Sequence, residues 1–230
     1  MIEIIYKSKN AVVVLKPHGM PAQRDLTGDI DCMTLTSKTL KDMGEPDALW
    51  LIHRLDRVVG GLMIFARNKE TAAELSAQFR DRVMLKEYIG VVEGRPNDGF
   101  YKDFLFKDSK KNKAFIVDSQ RNGVKECELA LRTLATVETD NGVRSLVKVT
   151  LGTGRFHQIR AQLSYRGNPL VGDGKYGSRD KSYRYVALAA YHMSLSFGRE
   201  DINIYAFPDL KEYPWSVFEG DVYDREVVLY

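Results

Sequence analysis

The chain has 230 residues, 44% of them hydrophobic and 28% charged, which is the composition of a globular protein and too apolar for a disordered one. Two cysteines (Cys32 and Cys127) could at most form one bridge, four scattered histidines and no Cys-x-x-Cys pair argue against a structural zinc site, and a chain this long buries a core without either. The formal charge of +3 is unevenly spread: residues 200–230 hold eight acids against two bases, and residues 144–184 hold nine bases against two acids.

Met1-Ile-Glu-Ile-Ile-Tyr-Lys lacks a basic-then-apolar signal pattern, and apolar runs such as Ala11–Leu15 fall far short of a membrane span. A cytoplasmic protein with free thiols and no membrane association is expected. In chain order, short apolar runs predict strands at Ile2–Tyr6, Ala11–Leu15, Leu49–Ile52, Leu62–Ala66, Tyr88–Val92 and Ala114–Val117. Further strands are predicted around Cys127, Leu129 and Leu131, whose apolar side chains alternate with Glu126, Glu128 and Ala130, and at Val147–Leu151, Tyr185–Ala190, His192–Phe197 and Ile202–Phe207. Helical spacing appears at about Met33–Met43, at Lys69–Arg82 with Asn68 as its N-cap, and from near Arg155, where Phe156, Ile159 and Leu163 form a stripe. Strands outnumber helices without alternating with them. The expected fold is therefore α+β, with a mixed, largely antiparallel central sheet flanked by a few helices. With no linker or repeat, one domain over 1–230 is expected, with a motif-bearing core at about 10–200 and an acidic segment at 200–230.

Several segments invite a chemical reading beside a plainer one. Gly172-Asp-Gly-Lys-Tyr-Gly177 has the spacing of a dinucleotide loop, but no amphipathic helix follows, so it reads as a sharp turn. His53-Arg54-Leu55-Asp56-Arg57 is a charged insert between two apolar strands, beside Gly60-Gly61. It is either functional or a structural ion pair. Tyr88 opens a strand and alone reads as a core aromatic; Arg160 sits one position round from Ile159, free to leave the apolar face or to lie on the surface. The basic stretch at 144–184 and a second cluster at Lys107, Lys110, Lys111 and Lys113 suit a polyanion or a solvated face equally.

Their joint order narrows the choice. Lys16-Pro17-His18-Gly19-Met20, then His53-Arg54-Leu55-Asp56, Lys86-Glu87-Tyr88 and Thr153-Gly-Arg-Phe-His-Gln-Ile-Arg160 with Gly172-Asp173, together resemble the RluA family of pseudouridine synthases, from about Lys16 to Phe197. The resemblance implies the pseudouridine synthase catalytic fold and isomerisation of specific uridines to pseudouridine in structured ribosomal or transfer RNA. It implies no cofactor, no metal and a monomer acting on an RNA stem-loop. Asp56 matches the essential aspartate, Arg54 the arginine that enters the RNA helix, Tyr88 the tyrosine stacking on the flipped uracil, and Arg160 the arginine paired with the catalytic carboxylate. Ala161-Gln162 replaces the residue-then-His that follows this arginine in many members. The chain reaches Lys16-Pro17 too early for an S4 module and so resembles the single-domain members. Two other readings stand beside it: a non-catalytic RNA-binding or remodelling domain of the same fold, and a glycosidase-like hydrolase with Asp173 as the second carboxylate.

Overall fold

A computed structural model describes residues 1–81, 83–218 and 222. In chain order these form β1 (Glu3–Lys7), β2 (Ala11–Lys16), α1 (Cys32–Asp42), β3 (Trp50–Leu51), β4 (Gly60–Ala66), α2 (Lys69–Asp81), β5 (Leu85–Glu93), β6 (Gly99–Asp108), β7 (Lys113–Val117), β8 (Val124–Thr139), β9 (Gly142–Leu151), α3 (Gln158–Tyr165), β10 (Leu188–Phe197) and β11 (Glu200–Tyr205). They gather into two compact units, one of residues 1–86 with 189–206, the other of residues 87–188 with 207–230. The acidic segment accordingly contributes β11 to the first unit, and its residues after 218, other than 222, lie outside the described ones.

In the first unit β2 lies between β1 and β4, antiparallel to both, with Lys16 opposite Gly61. The opposite edge of β4 carries β3 at Phe65–Ala66 and, running parallel, β10 at Gly60–Gly61; β11 is antiparallel to β10. All seven residues of β4 are buried, which is why it reads as one apolar run without alternation. Its backbone passes so close to β10 that a Cβ on Gly61, whose φ is +114°, would lie 2.3 Å from the Ala190 carbonyl oxygen. Leu75 and Phe79 of α2 pack with Leu62, Ile64, Met193 and Phe197 into the core, and Asn68 caps the helix as expected, its Oδ1 accepting from Thr71 N–H at 2.8 Å.

The second unit is an antiparallel sheet in the order β5-β9-β8-β6-β7, with α3 against β6 and β7. Among the described residues, the pairings within the units are antiparallel save β4 with β10, so the α+β expectation with a largely antiparallel sheet holds. Three local expectations change. β6 has no counterpart in the sequence reading, because only Tyr101 and Leu105 on it are buried and Lys102, Asp103 and Lys107 interrupt its pattern. The two strands expected at 185–197 are one strand, β10. Helix α3 starts at Gln158, because His157 adopts left-handed backbone (φ 51°) that a helix cannot continue through.

Candidate active site

Asp56 and Arg54 stand on the segment joining β3 to β4 in the first unit. His53 keeps that segment on the sheet: its Nε2 accepts from Ile64 N–H at 3.2 Å, so the ring carries its proton on Nδ1. Its ring stacks on Phe79, and burial together with the Lys86 charge pushes its pKa down to about 3. His53 is a neutral structural strut. Leu55 is buried, Arg54 is exposed and Asp56 is half-buried where the chain turns, Val59 N–H donating to the Asp56 carbonyl at 3.0 Å. Gly60 keeps space for a neighbour: a Cβ there would meet the His18 ring at 2.6 Å.

Arg57 of this insert is ion-paired to the loop before it. Its guanidinium donates to Asp29 at 2.5 Å, to Asp25 at 3.0 Å and to the Thr27 hydroxyl, gathering the exposed loop 25–29. Hydrogen bonds from Thr27 and Arg57 lower Asp25 to about 2. Arg54, by contrast, takes part in no ion pair among the described residues. The structural-pair reading of the insert therefore applies to Arg57 and not to Arg54.

Tyr88 and Arg160 belong to the second unit. Tyr88 lies on β5 opposite Val149 and is largely buried. Its neighbour Glu87 accepts from the Thr150 hydroxyl at 2.9 Å and stands 4.0 Å from Lys148 Nζ. Arg160 does not leave an apolar face, because residues 158–163 of α3 are all buried. Its Nε and Nη2 donate to Asp173 at 2.7 and 2.8 Å, and its guanidinium lies 4.9 Å from the Tyr176 ring centroid. Asp173 is 1% exposed and accepts from Arg160 through both oxygens, which removes it as the general acid or base of a glycosidase-like hydrolase.

The segments around Arg160 build its seat. The Thr153 hydroxyl donates to Gln158 Oε1 at 2.7 Å and accepts from Glu128 N–H, while Gln158 Nε2 donates to the Glu128 carbonyl, tying the start of α3 to β8. The Tyr176 hydroxyl accepts from Ala114 N–H at 2.8 Å and is hydrogen-bonded to His157 Nδ1 at 3.0 Å. Burial and nearby cations push His157 down to about 3, so this pair is neutral and structural. The glycine-rich segment is a turn, as expected: Gly172 has φ +79° and a Cβ there would lie 1.9 Å from the Tyr185 carbonyl oxygen.

The basic stretch at 144–184 is less basic than its sequence. Arg144 pairs with Asp180 at 2.8 Å, Lys148 faces Glu87, Arg160 holds Asp173 and Arg166 pairs with Asp103 at 2.9 Å. Four of its nine bases are thereby balanced by carboxylates and lie wholly or partly inside the protein. Exposed charge remains within the stretch on Lys175, Arg179, Lys181 and Arg184, and more lies on Lys107, Lys110 and Lys111 of the β6–β7 hairpin, which Lys113 and Lys175 tie to the 174–176 turn through backbone carbonyls.

The sequence profile described as RNA pseudouridylate synthase matches residues 10–165. The ribosomal large subunit pseudouridine synthase D of Borreliella burgdorferi is 28% identical over 223 residues, covering 93% of this chain and 65% of that protein, so the chain spans about two thirds of that relative's length. The tRNA pseudouridine synthase C of Haemophilus ducreyi is 29% identical over 193 residues, covering 80% of this chain and 77% of that one. Human RNA pseudouridylate synthase domain containing 1 shares the fold, with a TM-score of 0.78 at 21% identity over all of this chain and 96% of that one. No helix among the described residues is long and apolar enough to cross a membrane. With the motif order, the matched fold and a profile covering more than half its length, the chain belongs to the RNA pseudouridylate synthase family, in its RluA branch.

Proposed function

We propose that this protein isomerises uridine to pseudouridine in structured ribosomal or transfer RNA, with Asp56 as its reacting carboxylate. The relatives named for ribosomal large-subunit and tRNA modification support both substrate classes. The observation that carries the reading is the Asp56 turn: a half-buried carboxylate follows an exposed arginine that pairs with no acid among the described residues, at the mouth of a buried strand. Chemistry on a base requires its removal from the stack, at a cost of a few kcal/mol. Arg54 fills the vacated space, Tyr88 stacks on the extruded ring, and the Arg160 guanidinium favours the ionised form of the carboxylate. The glycosidic nitrogen–carbon bond breaks, the uracil turns, and the sugar rejoins it through a ring carbon that gives up its proton while the freed ring nitrogen gains one, Asp56 serving as nucleophile or base. Reactant and product are isomers, so the net reaction consumes no second substrate.

The test is incubation of the purified protein with transcribed ribosomal and transfer RNAs, followed by pseudouridine mapping at single-nucleotide resolution. Conversion at discrete uridines is expected. Tight binding with no conversion would leave the non-catalytic RNA-binding domain as the correct reading.

Two further outcomes follow from the side chains. Arg54→Ala is expected to slow turnover on a stem-loop more than on an unstructured oligonucleotide bearing the same uridine; equal losses on both would remove its role in extrusion. RNA affinity is expected to depend on salt through the exposed lysines of the β6–β7 hairpin as well as through the exposed bases of residues 144–184, four of whose nine bases are already paired. Replacing Lys110 and Lys111 with glutamine should flatten the slope of log affinity against log salt by roughly 1.4 to 1.8, as two phosphate contacts are lost. An unchanged slope would show that these lysines face solvent in the complex.

A further inference from the structure

Lys16 closes β2 and is 1% exposed, yet it forms no ion pair among the described residues. A buried ammonium without a carboxylate is expensive unless its donors are all met. Here they are: Nζ donates to the carbonyls of Met20 at 2.8 Å, Pro17 at 2.9 Å and Arg57 at 3.3 Å. The Arg57 carbonyl also accepts from Gly19 N–H at 2.8 Å, so both of its acceptor positions are occupied. Arg57 is held at its other end by Asp25, Thr27 and Asp29. The residue immediately after Asp56 is thus clamped at its carbonyl and at its side chain, and the ammonium that closes the backbone clamp attracts the Asp56 carboxylate.

We propose that Lys16 is a positioning residue for Asp56: it fixes the backbone that carries the carboxylate and supplies a buried positive charge facing it. The inference rests on the reading of Asp56 as the reacting group. A purely structural lysine would do the first of these without the second, and the difference lies in what happens when the ammonium loses its proton. The charged and titratable groups facing Lys16 are Cys32 on α1, with Asp56 and Arg57 on the segment between β3 and β4. Burial pushes Lys16 down to about 8, against the partial support of Asp56 and Cys32, while burial pushes the Cys32 thiol up to about 12. Lys16 therefore titrates just above neutrality while Cys32 remains a thiol.

The sign of the stability effect is opposite to that of the activity effect. Between about 8 and the ordinary lysine value the unfolded chain binds more protons than the folded one, so Lys16's own contribution to stability rises with pH. Activity, if it needs the ammonium, falls across the same interval. Loss of rate without loss of melting temperature is the signature.

The experiment measures single-turnover rate at saturating RNA from pH 6.5 to 9, beside RNA affinity and thermal unfolding at each pH. The wild-type rate is expected to fall above a midpoint near 8, approaching tenfold per pH unit, with affinity and melting temperature held. Lys16→Arg keeps a charge that does not titrate and is expected to lose the alkaline fall; Lys16→Met is expected to be slower by about 10²-fold at pH 7. A flat wild-type profile overturns the proposal, even where both variants fail to fold. So does an alkaline fall that persists in folded Lys16→Arg, or a wild-type rate in Lys16→Met. Lys86, which burial also lowers to about 8, is separated by Lys86→Arg: an alkaline fall abolished there instead assigns the titration to Lys86 and overturns the inference. Turnover by folded Asp56→Asn would defeat the underlying reading, whereas inactive Asp56→Asn with normal Lys16 variants defeats this inference alone.

Discussion

Asp56→Asn is expected to abolish pseudouridine formation while RNA affinity stays within about tenfold, ~1.4 kcal/mol. Asparagine keeps the shape and the acceptor oxygen but removes the charge and nearly all nucleophilicity. Asp56 is half-buried at a turn whose backbone is held independently, by Val59 N–H on its own carbonyl and by Lys16 and Gly19 on the next. The substitution should therefore leave the melting temperature close to that of the wild type. Thermal unfolding and a product assay on the same preparation decide the matter. Normal melting with no product is the result that chemistry at this carboxylate requires. A loss of roughly 3–5 kcal/mol, with activity and melting falling together, would mean that Asp56 is half of a structural ion pair. Measurable turnover by a folded variant would end the assignment.

Asp173→Asn is expected to do the reverse, acting first on stability. Both Asp173 oxygens accept charge-assisted bonds from Arg160, and the two side chains are 1% and 6% exposed. An amide in that place leaves the guanidinium without the carboxylate that Nε and Nη2 share, and turns an amide N–H₂ toward one of those donors. Removing one partner of a buried pair costs roughly 3–5 kcal/mol, a drop in Tm on the order of 10 °C for a chain of this size. Activity should fall as well, because Arg160 loses the fork that orients it. An unchanged Tm would show that the Arg160–Asp173 pair contributes nothing net to folding. The two aspartates make a controlled contrast: one variant folded and inactive, the other unstable first.

The parts of the fold legible in the sequence are those in which burial is written into consecutive residues. β2 up to Leu15 and β4 throughout carry no charged or polar side chain because both are buried nearly end to end, and the α2 start is visible because Asn68 caps it locally. The His53-Arg54-Leu55-Asp56 turn is legible for the same reason: charged residues between two apolar strands have to leave the sheet. β6 is not, since a strand paired on both sides but buried at only Tyr101 and Leu105 leaves almost no periodic trace.

The charges divide in the same way. Motif order alone identified the candidate residues Arg54, Asp56, Tyr88 and Arg160 through their resemblance to a family, while their electrostatic settings depended on partners remote in the chain. Arg166 finds Asp103 sixty-three residues away, and Arg144 finds Asp180 across thirty-six, so a basic stretch that looks like an RNA-facing surface has four of its nine bases neutralised inside the second unit. Lys16 reads as the end of an apolar strand, and only the fold brings its ammonium to the carbonyl beside Asp56, forty-one residues on. Periodicity and composition report what each residue prefers from its own neighbours: apolar faces, caps, turns. Which acid meets which base, and which lysine is buried, is decided when strands distant in sequence pair and exclude water, because a charge's energy depends on everything around it and not on its place in the chain.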